Sequence, residues 1–456
     1  MSATPQPNDT LNALRAGKLS GIKRLDLSCG LTTFPTEVFA LADSLEILNL
    51  SGNQLSSLPD DLTRLKKLKI IFCSDNQFVH LPEVLGEFEH LNMVGFKANK
   101  IRHCPASAIS HKLRWLILTD NALEKIPENI GDCQHMQKLM LAGNQLSALP
   151  ESLLRCQNIE LLRISANQFA HFPDWLLSLP RLAWLAYAGN PFTHAQETSI
   201  LDHAPLPLVD WAALKIGKKL GEGASGLIFE ASFADQKNHN AHFSESVAVK
   251  LFKGSVTSDG LPESEMAAWI HAGDHPHLAS VCGKLTHHPE KKQGLVMPML
   301  DADFKVLAGP PSLDSCTRDT YADNLTFSPQ AMLNIAANIA HATAHLHVRG
   351  LLHGDLYAHN ILLNRQQHAL LSDFGGAAFL PENKPLAQKL QKIEVRAFGI
   401  LLEELISRGA VGAEESQAMP QLQQLQKACD AQTIEDRPLM QEVFAQLKRL
   451  QSNIPQ

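Results

Sequence analysis

The sequence predicts an α/β solenoid of short repeats followed by a separate α+β domain. Three observations carry that prediction. A leucine-rich pattern returns at a nearly fixed period of 23 residues over roughly residues 20–192. A glycine-rich turn, Gly221-Glu222-Gly223-Ala224-Ser225-Gly226, then lies between two strand-like segments. Further on, two carboxylates and an amide (Asp355, Asn360 and Asp373) sit on short loops beside apolar runs. A chain of 456 residues is also too long for one ordinary core. The divisions expected are 1–192 for the repeats with an N-terminal cap, 193–211 for a linker and C-terminal cap, and 212–453 for the second domain.

The repeats come first. Leu45-x-x-Leu48-x-Leu50-x-x-Asn53-x-Leu55-x-x-Leu58-Pro59 recurs, with its asparagine position at Gly30, Asn53, Asn76, Asn99, Asn121, Asn144, Asn167 and Asn190. Eight such units resemble the intracellular Leu-Pro type of leucine-rich repeat. Each reads as a short strand, a turn whose asparagine bonds neighbouring backbone, and a return segment. The few aliphatic side chains of one unit cannot offset the ordering of its backbone, so stability must come from stacking. The third and fifth strand positions point away from the solenoid core. They include Ile47, Ile70, Phe72, Met93, Trp115, Ile117, Met140, Leu161 and Trp184, an apolar stripe where a free solenoid would be polar. Contiguous apolar surface marks interaction sites, so this concave face is expected to dock a protein partner or substrate. Residues 193–210 lose the period, and Ile200, Leu201, Leu206, Leu208 and Trp211 are expected to cap the last repeat.

Composition excludes several classes. Net charge is −7 without long runs of one sign, which calls for neither nucleic acid nor an anionic membrane. No window holds eighteen apolar residues free of charge, and the N-terminus lacks the regions of a signal peptide. Eight cysteines with no Cys-x-x-Cys pair fit a reducing, cytoplasmic setting.

In the second domain, glycines at 221, 223 and 226 let backbone N–H groups approach phosphates. A dinucleotide fingerprint would open a helix there, but Ile228-Phe229-Glu230-Ala231-Ser232-Phe233 continues as strand. Ser246-Val247-Ala248-Val249-Lys250 then ends a second strand on a lysine. Ile361-Leu362-Leu363 and Ala369-Leu370-Leu371 read as two strands that fix the loops of Asp355, Asn360 and Asp373 side by side. Such a set holds a magnesium nucleotide and orients an attacking hydroxyl. His341 and His345 share a helix face, a weak zinc pattern with no third ligand placed.

In order, Gly-x-Gly-x-x-Gly-x-Ile, Val-Ala-Val-Lys, His353-Gly354-Asp355-Leu356-x-x-x-Asn360 and Asp373-Phe374-Gly375 resemble the protein kinase family over about residues 212–452, with Asp436-Arg437-Pro438 as a further match. The resemblance implies a two-lobed fold and assigns roles. Gly221, Gly223, Ala224, Ser225 and Gly226, with Ile228, would cover ATP. Lys250 would contact its α- and β-phosphates, beside Ala248. Glu265 would hold Lys250, with Glu263 as the alternate. Met297 and Met299 would lie at the adenine hinge. Asp355 would take the acceptor's proton, and Asn360 and Asp373 would ligate Mg²⁺.

Four departures from that family stand out. Gly354 occupies an arginine position, Tyr357 a lysine position and Glu394 the place of a bracing aspartate. Only twenty-one residues separate Asp373 from Glu394, with no Ala-Pro-Glu segment between them. The resemblance implies that Arg437 has lost its partner glutamate there, and so needs another or faces solvent. The expected activity is an ATP-dependent protein kinase of serine/threonine type, with the repeats recruiting its partner. The alternatives are a small-molecule kinase of aminoglycoside-phosphotransferase type and a pseudokinase scaffold.

Overall fold

A computed structural model describes residues 7–203, 206–223, 225–234, 246–254, 256–410, 412 and 417–452. Ala224 lies outside the described residues. The chain divides into two compact units, Met1–Leu162 with Asn167–Arg181, and Arg163–Ala166 with Leu182–Gln456. This division falls inside the final repeats, whereas the sequence pattern breaks only after residue 192.

Eight strands of three residues each, from Arg24–Asp26 to Trp184–Ala186, follow one another in sequence order in a single sheet. Neighbours from Arg24–Asp26 through Lys138–Met140 pair in parallel. The asparagines explain the period. Asn53 Nδ2 donates to the carbonyls of Leu27 and Leu50 at 2.8 Å, while its Oδ1 accepts from the N–H groups of Cys29 and Leu31. Asn76 and Asn144 repeat the arrangement, each joining its own turn to the preceding repeat. Buried backbone groups at the turn are satisfied in this way, and no smaller side chain spans both strands. Proline starts the return segment: Pro35, Pro82, Pro105, Pro127 and Pro150 each precede a short 3₁₀ turn, where a fixed φ and a missing N–H do no harm. Cys133 and Cys156 donate their thiols to the carbonyls of Ser110 and Ile130, and burial pushes both thiols up, to about 12 and about 11.

The apolar stripe is not uniformly open. Ile47, Phe72, Trp115, Ile117 and Met140 are half-buried, but Ile70, Met93, Leu161 and Trp184 are buried. Lys138 Nζ lies 4.5 Å over the Trp115 ring. Trp184 therefore cannot belong to an exposed docking face.

In the second unit, Ile164 and Ala166 donate backbone N–H groups to Ala186 and Ala188. Asn190 then caps the helix Pro191–Asp202 through a reciprocal pair with Thr193. The expected cap by residues 200–211 takes another form. Leu208 is 71% exposed, and Leu208–Asp210 instead forms a strand parallel to Gly283–Thr286. Backbone pairing and burial of Val209 outweigh cover from Leu208. A six-stranded sheet results, in the order Leu214–Glu222, Gly226–Phe233, Ser246–Phe252, Gly294–Pro298, Gly283–Thr286, Leu208–Asp210.

Alternation in Ser246–Phe252 separates core from cleft. Val247, Val249 and Leu251 enter an apolar cluster with Val209, Leu285 and Val296, while Ala248 and Lys250 face the opposite side. Below, the helices Pro329–Val348, Lys384–Ser407, Met419–Cys429 and Met440–Ser452 form the helical part. Ser328 and Asn383 cap the first two through side-chain oxygens. Arg437 is buried and donates to the carbonyls of Ala431 and Lys392, so backbone supplies its partners.

Candidate active site

A cleft of about 740 Å³ lies between the six-stranded sheet and the helical part. Gly223, Ile228, Ala248, Lys250, Met297, Met299, Asn360 and Asp373 line it, together with His359, which the sequence reading missed. Gly221 and Gly226 belong to the hairpin above, and Ser225 is buried there. A Cβ at Gly221 or Gly223 would meet no atom within 4 Å, so the fold itself does not require glycine at either position. Gly226 differs, because a Cβ would stand 2.7 Å from the Leu251 carbonyl on the paired strand.

Lys250 forms an ion pair with Glu265 and lies 3.7 Å from Asp373. Burial works to lower the lysine pKa, but the two carboxylates outweigh it and the group is raised and charged. Glu265 is 1% exposed on the helix Pro262–Ala272, whereas Glu263 accepts from Gln293 at the surface. Helical spacing decides between them, since residues two apart face different sides. The same helix is anchored by Ser264, which donates to Glu197 at 2.7 Å; Glu197 in turn accepts the Gly189 N–H. Trp269 and His353 both contact the buried Phe374 ring, with centroids at 4.4 and 5.3 Å.

Ile361–Leu363 pairs antiparallel with Ala369–Leu371, fixing the loops on either side. Asn360 Nδ2 donates to the Asp355 backbone oxygen at 2.9 Å and to its Oδ2 at 2.8 Å. Asp373 has φ 60°, a left-handed conformation that aspartate tolerates better than most residues. Its Oδ1 accepts the Gly375 N–H. Glu394 braces the loop from below, accepting the Gly354 N–H at 2.6 Å and bonding His347 at 2.8 Å. Its longer arm thus reaches the loop as aspartate would. His359 bonds the buried Asp319 carboxylate through Nδ1 and through its backbone N–H. Burial acts to lower its pKa, but Asp319 and Asp355 raise it overall.

The other side of Asp355 is closed by residues the sequence reading placed elsewhere or overlooked. Arg163 is 1% exposed; it donates through Nε to Asp259 at 2.7 Å, through Nη1 to the Gly354 carbonyl at 3.0 Å, and through Nη2 to Asp355 Oδ1. Trp184 stacks on Tyr357 with centroids 4.0 Å apart and 6° between planes, and its Nε1 donates to the Leu356 carbonyl. Tyr187 donates its hydroxyl to Phe379 O. Gly354 has φ 71°, and a Cβ there would strike Gly376 O and Leu185 O at 2.1 and 2.8 Å. Burial alone would push the Asp355 carboxyl up; Arg163, with His359 and His353, more than offsets that and holds it below the usual range.

His341 and His345 fall in a cluster with His275, His277 and His368. His345 bonds the Ala272 carbonyl and His341 stacks on Phe444. Among the described residues no group of three or more His, Cys, Asp or Glu side chains is placed to hold a metal ion, and no helix is long and apolar enough to cross a membrane.

Comparison with known proteins agrees with this geometry. Residues 214–398 match the family described as protein tyrosine and serine/threonine kinase, and residues 44–65 match the leucine-rich repeat. Among relatives, the tyrosine-protein kinase receptor TYRO3 of Danio rerio is 25% identical over 229 residues, covering 45% of this chain and 26% of its own length. The receptor-like cytosolic serine/threonine-protein kinase RBK1 of Arabidopsis thaliana is 38% identical over 109 residues, covering 19% of this chain and 23% of its own. The chain thus spans about a quarter of the length of these relatives. Repeat ladder, cleft and matches together identify leucine-rich repeats joined to a protein kinase domain.

Proposed function

We propose that the protein transfers the γ-phosphate of ATP to a protein hydroxyl, of serine or threonine type, and that it acts in the cytoplasm. The meeting of Lys250, Asn360 and Asp373 in one cleft, with Glu265 paired to Lys250 and Asp355 bonded to Asn360, carries this reading. In it, Lys250 neutralises the α- and β-phosphates while Glu265 holds its ammonium in place. Gly221, Gly223, Ser225 and Gly226, with Ala224, cover the phosphates; Ile228, Ala248, Met297 and Met299 enclose the base. Asp355 accepts the acceptor proton as the new O–P bond forms and the bond to ADP breaks.

The metal question is one of donor chemistry. Asn360 and Asp373 offer amide and carboxylate oxygens at the cleft floor, a set that suits a hard divalent cation such as Mg²⁺ shared with phosphate. Such a cation supplies charge neutralisation at the phosphates. With two side-chain donors and no third, its affinity in the absence of nucleotide should be weak.

The half-buried residues Ile47, Phe72, Trp115, Ile117 and Met140 form the stretch we assign to partner recruitment. The deciding experiment incubates full-length protein with γ-labelled ATP and Mg²⁺, with and without cell extract. Label on serine or threonine of protein is the expected result. Label only on small molecules would support a small-molecule kinase, and none would support a scaffold.

A further inference from the structure

We propose that Arg163, a residue of the repeat pattern, is a positioning residue of the phosphotransfer centre: it fixes the Asp355 carboxylate and offsets the negative charge beside the incoming phosphates. The proposal rests on the kinase reading above and adds to it a side chain that lies 192 positions away in sequence.

The geometry carries the argument. Asp355 is held at both oxygens, Oδ1 by Arg163 and Oδ2 by Asn360, so its plane is set before an acceptor arrives. Asp259 sits on the other side of the guanidinium, and its Cβ lies 3.7 Å from where a Gly375 Cβ would stand, next to Asp373. Without Arg163, Asp259, Asp355 and Asp373 would present three negative charges to a polyphosphate. With it, the same set carries a net charge of two. Preorganised charge of this kind is where phosphoryl transfer gains most.

The contact is built in. Arg163 to Ala166 share a compact unit with the catalytic loop. Ile164 and Ala166 are tied to Ala186 and Ala188 by backbone bonds, and a Cβ on Gly260 would stand 3.0 Å from Ser165 Cβ. A removable plug would be expected to have an exposed, separable contact, whereas withdrawing Arg163 would leave two carboxylates and the Gly354 carbonyl without it. Glycine at 354 is what admits the strand Trp184–Ala186 so close to the loop.

The test compares wild type, Arg163→Gln and Arg163→Lys as full-length protein, using γ-labelled ATP and Mg²⁺ with casein and the chain itself as acceptors. Arg163→Gln should lower kcat on the order of 10²-fold, the scale of a misplaced reacting group, and raise KM for ATP by a smaller factor, because the carboxylates then repel the phosphates. Arg163→Lys should recover part of the loss. A circular dichroism spectrum matching wild type shows that the variant is folded. An equal or faster kcat in Arg163→Gln, or no recovery in Arg163→Lys, overturns the role of Arg163 and leaves the kinase reading standing. A wild-type chain that labels neither acceptor overturns the kinase reading and this role with it.

Discussion

The two sides of Asp355 are built differently. Toward the nucleotide cleft, Lys250, Glu265, Asn360 and Asp373 come from neighbouring elements of one domain and stand at short, patterned spacings. On the opposite side, Arg163 and Trp184 bond the loop itself and Tyr187 bonds the Phe379 carbonyl, and all three occupy positions in the repeat pattern. The first side is an open cleft, whereas the second is a packed contact whose members are nearly or fully buried. One side is written in local motifs, whereas the other is assembled from residues far apart in sequence.

Four changes would break or sharpen that contrast. Asp355→Asn should have the largest effect, lowering turnover by about 10²–10⁴-fold, as expected for a lost proton acceptor, while leaving ATP affinity intact. Steady-state rates beside equilibrium nucleotide titration check it. Next, Lys250→Ala should weaken nucleotide binding and destabilise the fold by about 3–5 kcal/mol, because Glu265 would remain buried without its cation. Urea unfolding measures the second part, and Lys250→Ala with Glu265→Gln should restore much of it. Trp184→Phe should cost about 1–3 kcal/mol, since the ring stack survives but the buried Leu356 carbonyl loses its donor. If that variant slowed transfer without changing ATP affinity, the division between the two sides would gain a direct measurement.

Glu404→Gln should have the smallest effect, visible only as pH dependence. Burial, with Asp319 nearby, pushes the Glu404 carboxyl up to about 7, while Tyr321 donates to it. An acid whose folded pKa is raised holds its proton more tightly in the folded state. Its stabilising share is therefore present below the unfolded pKa near 4.5 and is lost as pH rises through about 7. Thermal midpoints from pH 5 to 8 should fall less in Glu404→Gln than in wild type.

What was legible in the sequence follows the same division. The asparagine ladder was readable because each Asn serves one turn and its neighbour, so its period is the repeat itself. Lys250 was readable from Val-Ala-Val-Lys, one of the motifs that carry the resemblance, and strand alternation puts it opposite Val247 and Val249. Glu265 was readable only as one of two, and burial on a helix face separates it from Glu263. Trp184 was misplaced because its repeat position says which way it points, not what meets it there. Arg163 was overlooked for the same reason. Two faint signals existed: a cation at a fifth strand position in an otherwise apolar stripe, and glycine at 354. Neither identifies its partner, since contact across 192 residues leaves no local period.

Gly354 also bears on how the molecule can be divided. A gene fragment cut at the linker, beginning near residue 212, would contain every recognised motif of the catalytic domain. It would lack Arg163, Trp184, Tyr187 and the helix Pro191–Asp202, and Gly354 would face a void where Leu185 had been. A fragment of this chain meant to keep those contacts must therefore carry the final repeat strands along, because Arg163–Ala166 and the chain from Leu182 share one compact unit with the cleft.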